Sequence, residues 1–292
     1  MSIAFKRRAL LAYTLLLMLG SVAFASIAAL DQRPRSAEAS VLVLLCLAWV
    51  SWHSVIVRGL RLTARFVLLA AAIAFGIEAL TLNVTEALYH NLHPQVLEVP
   101  LQIVGGWVVC LYAGFAVTLS LVSPTRSWRG AFPFCVIAAL AATALDLTAD
   151  PLGVRLGAFA YQQGGAFMPE IEGSNGAHGI PLVNYLGWML VATGTYVVFW
   201  LSGRSTGAET ERGRVEALLF YVSVFFGTAI PALRLGYAQL LLIGGLPVTL
   251  VSVLVTYRLI ADRQARELGM RRNRQRARVT NLADRRFAMH RR

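Results

Sequence analysis

Eight stretches of the chain, 9–30, 41–57, 66–84, 99–122, 131–145, 180–201, 215–233 and 235–257, are apolar over most of their length. A helix that crosses the hydrocarbon core of a bilayer needs roughly 20 such residues. The runs therefore predict an all-α, polytopic membrane helix bundle of about eight transmembrane helices. Residues 1–258 form the integral membrane domain and 259–292 an arginine-rich tail. Composition agrees, because 57% hydrophobic and 14% charged residues do not make a soluble surface. Several runs are short or carry one ionisable residue, which suits helices packed against one another rather than bathed in lipid on every side.

The charge has a pattern. Of the 27 basic residues, 23 fall on one side of the alternating spans: 6–8, 58–65, 126–129, 204–214 and the tail from Arg258 to Arg292. Only Arg33, Arg35, Arg155 and Arg234 fall on the other side. The positive-inside rule then puts both termini in the cytoplasm and makes this a multi-pass cell-membrane protein. The start Lys6-Arg7-Arg8 followed by Ala23-Phe24-Ala25 has the ingredients of a signal peptide, but the apolar run continues to Leu30 and makes a full span. The net charge of +12 reports topology rather than nucleic-acid binding, since a basic stripe needs a polar domain to carry it. Every basic residue but Lys6 is an arginine, so no buried lysine is present for a retinal-type Schiff base. The tail reads as a solvated cytoplasmic segment in contact with anionic lipid. Cys46, Cys110 and Cys135 sit in apolar runs at unrelated spacings and suggest no disulfide or thiolate metal cluster.

Ionisable groups inside spans are costly and mark functional sites. With this topology, Glu78 lies near the outer end of the third span, and Asp146 and Asp150 share one helix face at the outer end of the fifth. Asn184 enters the sixth span from outside and Arg234 ends the seventh. Five polar side chains thus share one depth below the outer interface, while the cytoplasmic half of the spans reads as almost uncharged. The two longest loops, 85–98 and 151–179, open on the same side. Each leads into a span by Pro-Leu and, seven residues after the proline, a tryptophan: Pro100 to Trp107 and Pro181 to Trp188. That identity predicts a parallel helix-loop-helix internal repeat. Glu86, His90 and His93 have helical spacing, but Pro94 and the loop setting favour interfacial residues over a metal set. His53 and His178 are lone histidines, and the glycines of 164–165 and 173–179 read as flexible loop.

The stretch Asp146 to Pro151, then Phe159 and Tyr161, then Gly179-Ile180-Pro181-Leu182 with Asn184, Gly187 and Trp188, resembles the membrane carotenoid-biosynthesis family that includes the CruF-type carotenoid 1,2-hydratases. Glu78 and Val99-Pro100-Leu101 with Trp107 are similar to that family's earlier half-motif, so the resemblance covers residues 75–200. Two departures stand out. Residues 83–93 hold no glycine, and Phe159 stands where the family pattern has tryptophan.

The resemblance implies a hydro-lyase that adds water to the terminal double bond of an acyclic carotenoid end, such as that of lycopene or γ-carotene, without a redox cofactor. Its partners would be the carotenoid, water and membrane lipid. That chemistry suits the residues read independently. Alkene protonation calls for an acid in a water-poor site and aromatic faces beside the resulting cation. Asp146, Asp150 and Glu78 are the candidate catalytic groups. Asn184, Tyr185, Trp188, Phe159, Tyr161, Trp107 and Arg234 are the candidate substrate-binding residues, with Arg234 as the neighbour expected to tune or pair with the acids. A small-molecule transporter built on the repeat is the alternative.

Overall fold

The computed structural model describes residues 9–10, 12–14, 16, 19–20, 36–84, 87–89, 92–122, 125, 127–203 and 211–289. Among them are seven helices long and apolar enough to cross a membrane. In chain order these are α1 (Ser36–Arg58), α2 (Leu60–Val84), α3 (Leu101–Leu121), α4 (Trp128–Arg155), α5 (Leu182–Leu201), α6 (Glu211–Arg234) and α7 (Ala238–Met289). The molecule is an all-α polytopic membrane bundle, as the apolar runs predict. Most of the expected first span, 9–30, lies outside the described residues. Its described part lies along α1, where Trp49 Nε1 donates to Thr14 Oγ1 at 2.6 Å and Tyr13 Oη to the Leu45 carbonyl at 2.7 Å.

α3 and α4 form the centre. α3 is apolar all round and buried over most of its length, the pattern of a helix enclosed by others. Lipid gives helices no hydrophobic reason to associate, so close contact between small residues has to hold them together. α4 supplies a run of buried alanines from Ala138 to Ala144, and Gly114 of α3 lies against it. A Cβ on Gly114 would fall 2.7 Å from the Ala138 carbonyl oxygen and 2.7 Å from the Ala142 nitrogen. Gly114→Leu is therefore expected to force the two central helices apart and cost about 1–3 kcal/mol or more. Thermal unfolding of the detergent-solubilised protein checks this, and an unchanged melting temperature would show that the contact does not hold the pair.

Short strands cap one end of the bundle. β1 (Ala87–Leu88) pairs with β4 (Ala160–Tyr161), β2 (Gln95–Val96) with β3 (Val99–Pro100), and β5 (Phe167–Glu172) with β6 (His178–Ile180), all antiparallel. The glycine-rich segment expected to be a flexible loop is thus a hairpin. Its glycines serve close approach: Gly179, at φ +73°, leaves no room for a Cβ, which would fall 2.2 Å from the Gly165 carbonyl oxygen. The repeat is visible in the backbone. β3 and β6 each feed a helix through a proline N-cap, Pro100 at φ −69°, ψ 129° and Pro181 at φ −64°, ψ 130°. β1–β4 pairing joins the two loops of the repeat to each other.

Three further expectations are corrected. The fifth span does not end at Leu145: α4 continues through Asp146, Asp150 and Pro151 to Arg155. Acid and proline look like a helix end in sequence, but a backbone turn at that depth would leave its polar groups without water, and continuing the helix satisfies them. The tail does not leave the helix at Tyr257, because α7 runs on to Met289. Its extension is tied to the start of α6 by Arg214–Asp262 at 2.7 Å and Arg266–Glu211 at 2.5 Å. The end of the bundle opposite the strands is also not almost uncharged. There His53 bonds Tyr112 Oη at 2.7 Å and the Gly213 carbonyl at 3.1 Å, Arg58 donates to the same phenol at 2.6 Å, and the buried Glu216 pairs with Arg212 at 3.0 Å. Trp49 stacks between His53 and Phe220 at 4.7 Å and 3.8 Å, so this cluster locks α1, α3 and α6 together.

Candidate functional site

At the strand-capped end three acids from two helices come together. Asp146 and Asp150 are one turn apart on α4, close enough for each carboxyl to act on the other. Two carboxyls buried this close cannot both ionise at low cost, so the pair favours holding one proton. Glu78 reaches the same space from α2, close enough for its charge to act on both aspartates. Asp146 is 1% exposed, Glu78 7% and Asp150 9%. No ion pair among the described residues reaches any of the three.

Two of the three acids, Glu78 and Asp150, are each held by a tyrosine eleven residues further on. Tyr89 Oη donates to Glu78 Oε2, and Tyr161 Oη donates to Asp150 Oδ2 at 2.9 Å. Tyr161 belongs to β4 and Tyr89 directly follows β1, its partner strand, so the repeat places one phenol on Glu78 and one on Asp150. Burial and the adjacent carboxyls hold both phenols well above their ordinary pKa, which keeps them hydrogen donors. Glu78 and Asp150 each also have a donor from the helix that follows a proline of the repeat. Trp107 Nε1 donates to Glu78 Oε1 at 2.6 Å, and Asn184 Nδ2 donates to Asp150 Oδ2. Both oxygens of Glu78 therefore accept.

The repeat's two tryptophans meet face to face. Trp107 and Trp188 stack with centroids 3.4 Å apart and planes 13° apart, which ties the entry of α3 to that of α5 next to the acids. Phe159 lies over Gly153 on the last turn of α4, where a Cβ would come within 2.4 Å of its ring. From there it sits edge-on between Tyr89 at 5.9 Å and Tyr161 at 5.8 Å. Val154, Met168, Ile171, Ile180 and Leu240 pack with Phe159 and Tyr185 as an apolar cap.

Two polar atoms in this enclosure have no protein partner: Asp146 Oδ2 and Tyr185 Oη. The phenol of Tyr185 is near enough for both aspartates to act on it. Buried polar atoms are nearly always paired, so unpaired ones inside a ring of acids and aromatics are where a reacting molecule would be met.

Of the residues expected from sequence, Glu78, Asp146, Asp150, Asn184, Tyr185, Trp188, Phe159, Tyr161 and Trp107 are brought together. Arg234 is not: it ends α6 exposed to the surroundings and pairs with none of the acids. The helix direction that placed it at the right depth did not fix its face. Glu86 and His90 lie outside the described residues, and His93 and His178 are exposed. Tyr89 was missed, although the acid-to-tyrosine spacing shared by Glu78–Tyr89 and Asp150–Tyr161 was present in the chain to be read.

Comparison with curated proteins and with solved structures gave no match. A family profile did match. The profile described as "Carotenoid biosynthesis protein" covers residues 38–254, which takes in the described spans and the whole acid site. The chain belongs to the carotenoid biosynthesis protein family, and its role lies in that pathway.

Proposed function

We propose that the protein is a carotenoid 1,2-hydratase, a hydro-lyase that adds water to the terminal double bond of an acyclic carotenoid end such as that of lycopene or γ-carotene. The observation that carries this reading is the buried Asp146–Asp150 pair, whose unpartnered oxygen, Asp146 Oδ2, shares one enclosure with the unpartnered hydroxyl of Tyr185. Family membership supports the pathway, and the enclosure supports the chemistry.

The reaction needs three things from the protein. Asp146 gives a proton to the less substituted carbon of the alkene, leaving a tertiary cation on the other. The stacked Trp107–Trp188 pair, Phe159 and the tyrosines offer π faces and no nucleophile to that cation. A water molecule held near Tyr185 and Glu78 attacks it, forming the C–O bond. The proton released from the added water returns to the carboxyl cluster, so the acid is restored and no electrons change hands. Asn184 and Tyr161 hold Asp150 as the fixed partner of the donor. The site needs no redox cofactor for this sequence.

The same reading places residues 1–258 in the membrane and the arginine-rich 259–292 in the cytoplasm, with the acid end near the outer interface of the cell membrane. Incubating the purified protein with lycopene or γ-carotene and looking for a product heavier by one water tests the activity. No such product from either substrate, with the boiled protein as control, would sink it. Tyr89→Phe is expected to lower turnover about tenfold, because a hydrogen bond to a charged group is worth ~1.5–3 kcal/mol and Glu78 loses one of two. A steady-state rate comparison with wild type checks it. The repeat also favours a transporter; uptake of carotenoid into proteoliposomes without chemical change would support that alternative.

A further inference from the structure

The β5–β6 hairpin carries a strained residue. In its register Phe167 faces Ile180 and Glu172 faces His178. Residues 168–171 of β5 are therefore set against the single Gly179, and the surplus bows the strand into a bulge. Met168 takes the bend at φ +53°, a left-handed conformation that a residue with a side chain rarely adopts. The other left-handed positions of this loop, Gly157, Gly164, Gly176 and Gly179, are all glycine.

The bulge is held from both sides. Gly179 has no room to give, since a Cβ there would fall 2.2 Å from the Gly165 carbonyl oxygen and 2.9 Å from that of Phe167. On the outside Gln239, in the first turn of α7, donates to Glu170 Oε1 at 2.5 Å. A regular strand alternates its faces, so burying Met168 would bury Glu170 and expose Ile171. The bulge reverses that outcome: Met168 and Ile171 are buried, while Pro169 and Glu170 are exposed. Glycine at 168 would meet the bend without strain. The chain instead places there a long unbranched apolar side chain and sends it into the cap with Phe159 and Tyr185. Strain that one substitution could relieve points to a task for the side chain that causes it.

We propose that Met168 is a specificity-determining residue of the site: turned inward by the bulge, its side chain is the wall that measures the two methyl groups of the substrate's isoprenoid end. The inference rests on the hydratase reading, which brings the terminal alkene to Asp146 Oδ2 and Tyr185 Oη. The cap beside those atoms counts Met168 and Tyr185 among its members. Its other aliphatic members, Val154, Ile171, Ile180 and Leu240, are branched, whereas an unbranched thioether has the reach to follow the contour of a small apolar group. Apolar walls of this kind discriminate by size, one methylene being worth roughly 10–200-fold.

The test removes the wall in two ways. Met168→Ala shortens the side chain, and Met168→Gly does so while also relieving the bend, which keeps a folded variant at hand. Two polyenes are supplied to the detergent-purified protein: lycopene, and a homologue with one methyl of each terminal alkene replaced by propyl. Binding is read by visible absorption and hydration by product mass. Wild type is expected to favour lycopene, and both variants to raise the homologue-to-lycopene ratio about tenfold in binding and in turnover. Met168→Gly should melt no lower than Met168→Ala, because glycine adopts the bend freely. An unchanged ratio in Met168→Gly, with both polyenes falling together, would overturn the proposal and leave Met168 as packing alone. Wild-type protein that binds the polyenes but hydrates neither would defeat the hydratase reading, and the ratio of bound pigment would still decide the role of Met168. Wild-type protein that binds neither would overturn both.

Discussion

Asp146→Asn is expected to reduce hydration by about 10³-fold, within the 10²–10⁴ that general acid catalysis contributes. The amide matches the carboxyl in shape and can still bond Asp150, but it has no proton to give. Asp150→Asn is expected to cost less, because Asp146 remains while its fixed partner, held by Tyr161 and Asn184, is weakened. The protein should lose no stability in either case, since exchanging a buried acid for a neutral amide relieves desolvation. Rates measured by product mass, together with melting temperatures, separate the two effects. If Asp146→Asn retains a tenth of the rate, the donor is elsewhere, and Glu78 becomes the next candidate.

The second large effect is expected at the tryptophan pair. Trp107→Ala should cost about 3–5 kcal/mol for the lost ring, and more besides, because Glu78 Oε1 is left buried without a donor. Trp188→Ala removes the same stacked contact and leaves that hydrogen bond in place, so it should be the milder of the two. Trp107→Phe keeps an aromatic face and loses only the N–H, which separates the two contributions. Thermal unfolding of the three variants in one detergent measures the ordering. If Trp188→Ala is at least as damaging as Trp107→Ala, the indole-to-carboxylate bond contributes little.

The apolar runs, the acids and the Pro-to-Trp spacing pointed to Glu78, Asp146, Asp150, Asn184, Trp107 and Trp188, and the family resemblance added Phe159, Tyr161 and Tyr185; these nine of the ten expected residues come to one place. They were legible because a membrane turns sequence position into depth. What depth cannot give is the direction a side chain faces around a helix, and Arg234 failed on that account. Asp146 and Asp150 were placed at a helix end because acid and proline usually break helices in water. In a bilayer the same residues sit inside a longer helix, since unpaired backbone costs more there than a proline. Tyr89 went unread for a different reason: the eleven-residue spacing was in the chain, but its meaning shows only once the β1–β4 pairing sets the two loops side by side. The His53 and Glu216 cluster went unread because its members come from three helices at unrelated spacings.

The β1–β4 pairing bears on how the site is assembled. Its two residue pairs, Ala87 with Tyr161 and Leu88 with Ala160, sit directly beside Tyr89. An end group that pushed either loop aside would pull both phenols from their carboxylates in one movement. The site is therefore an all-or-none assembly, made or unmade as a unit.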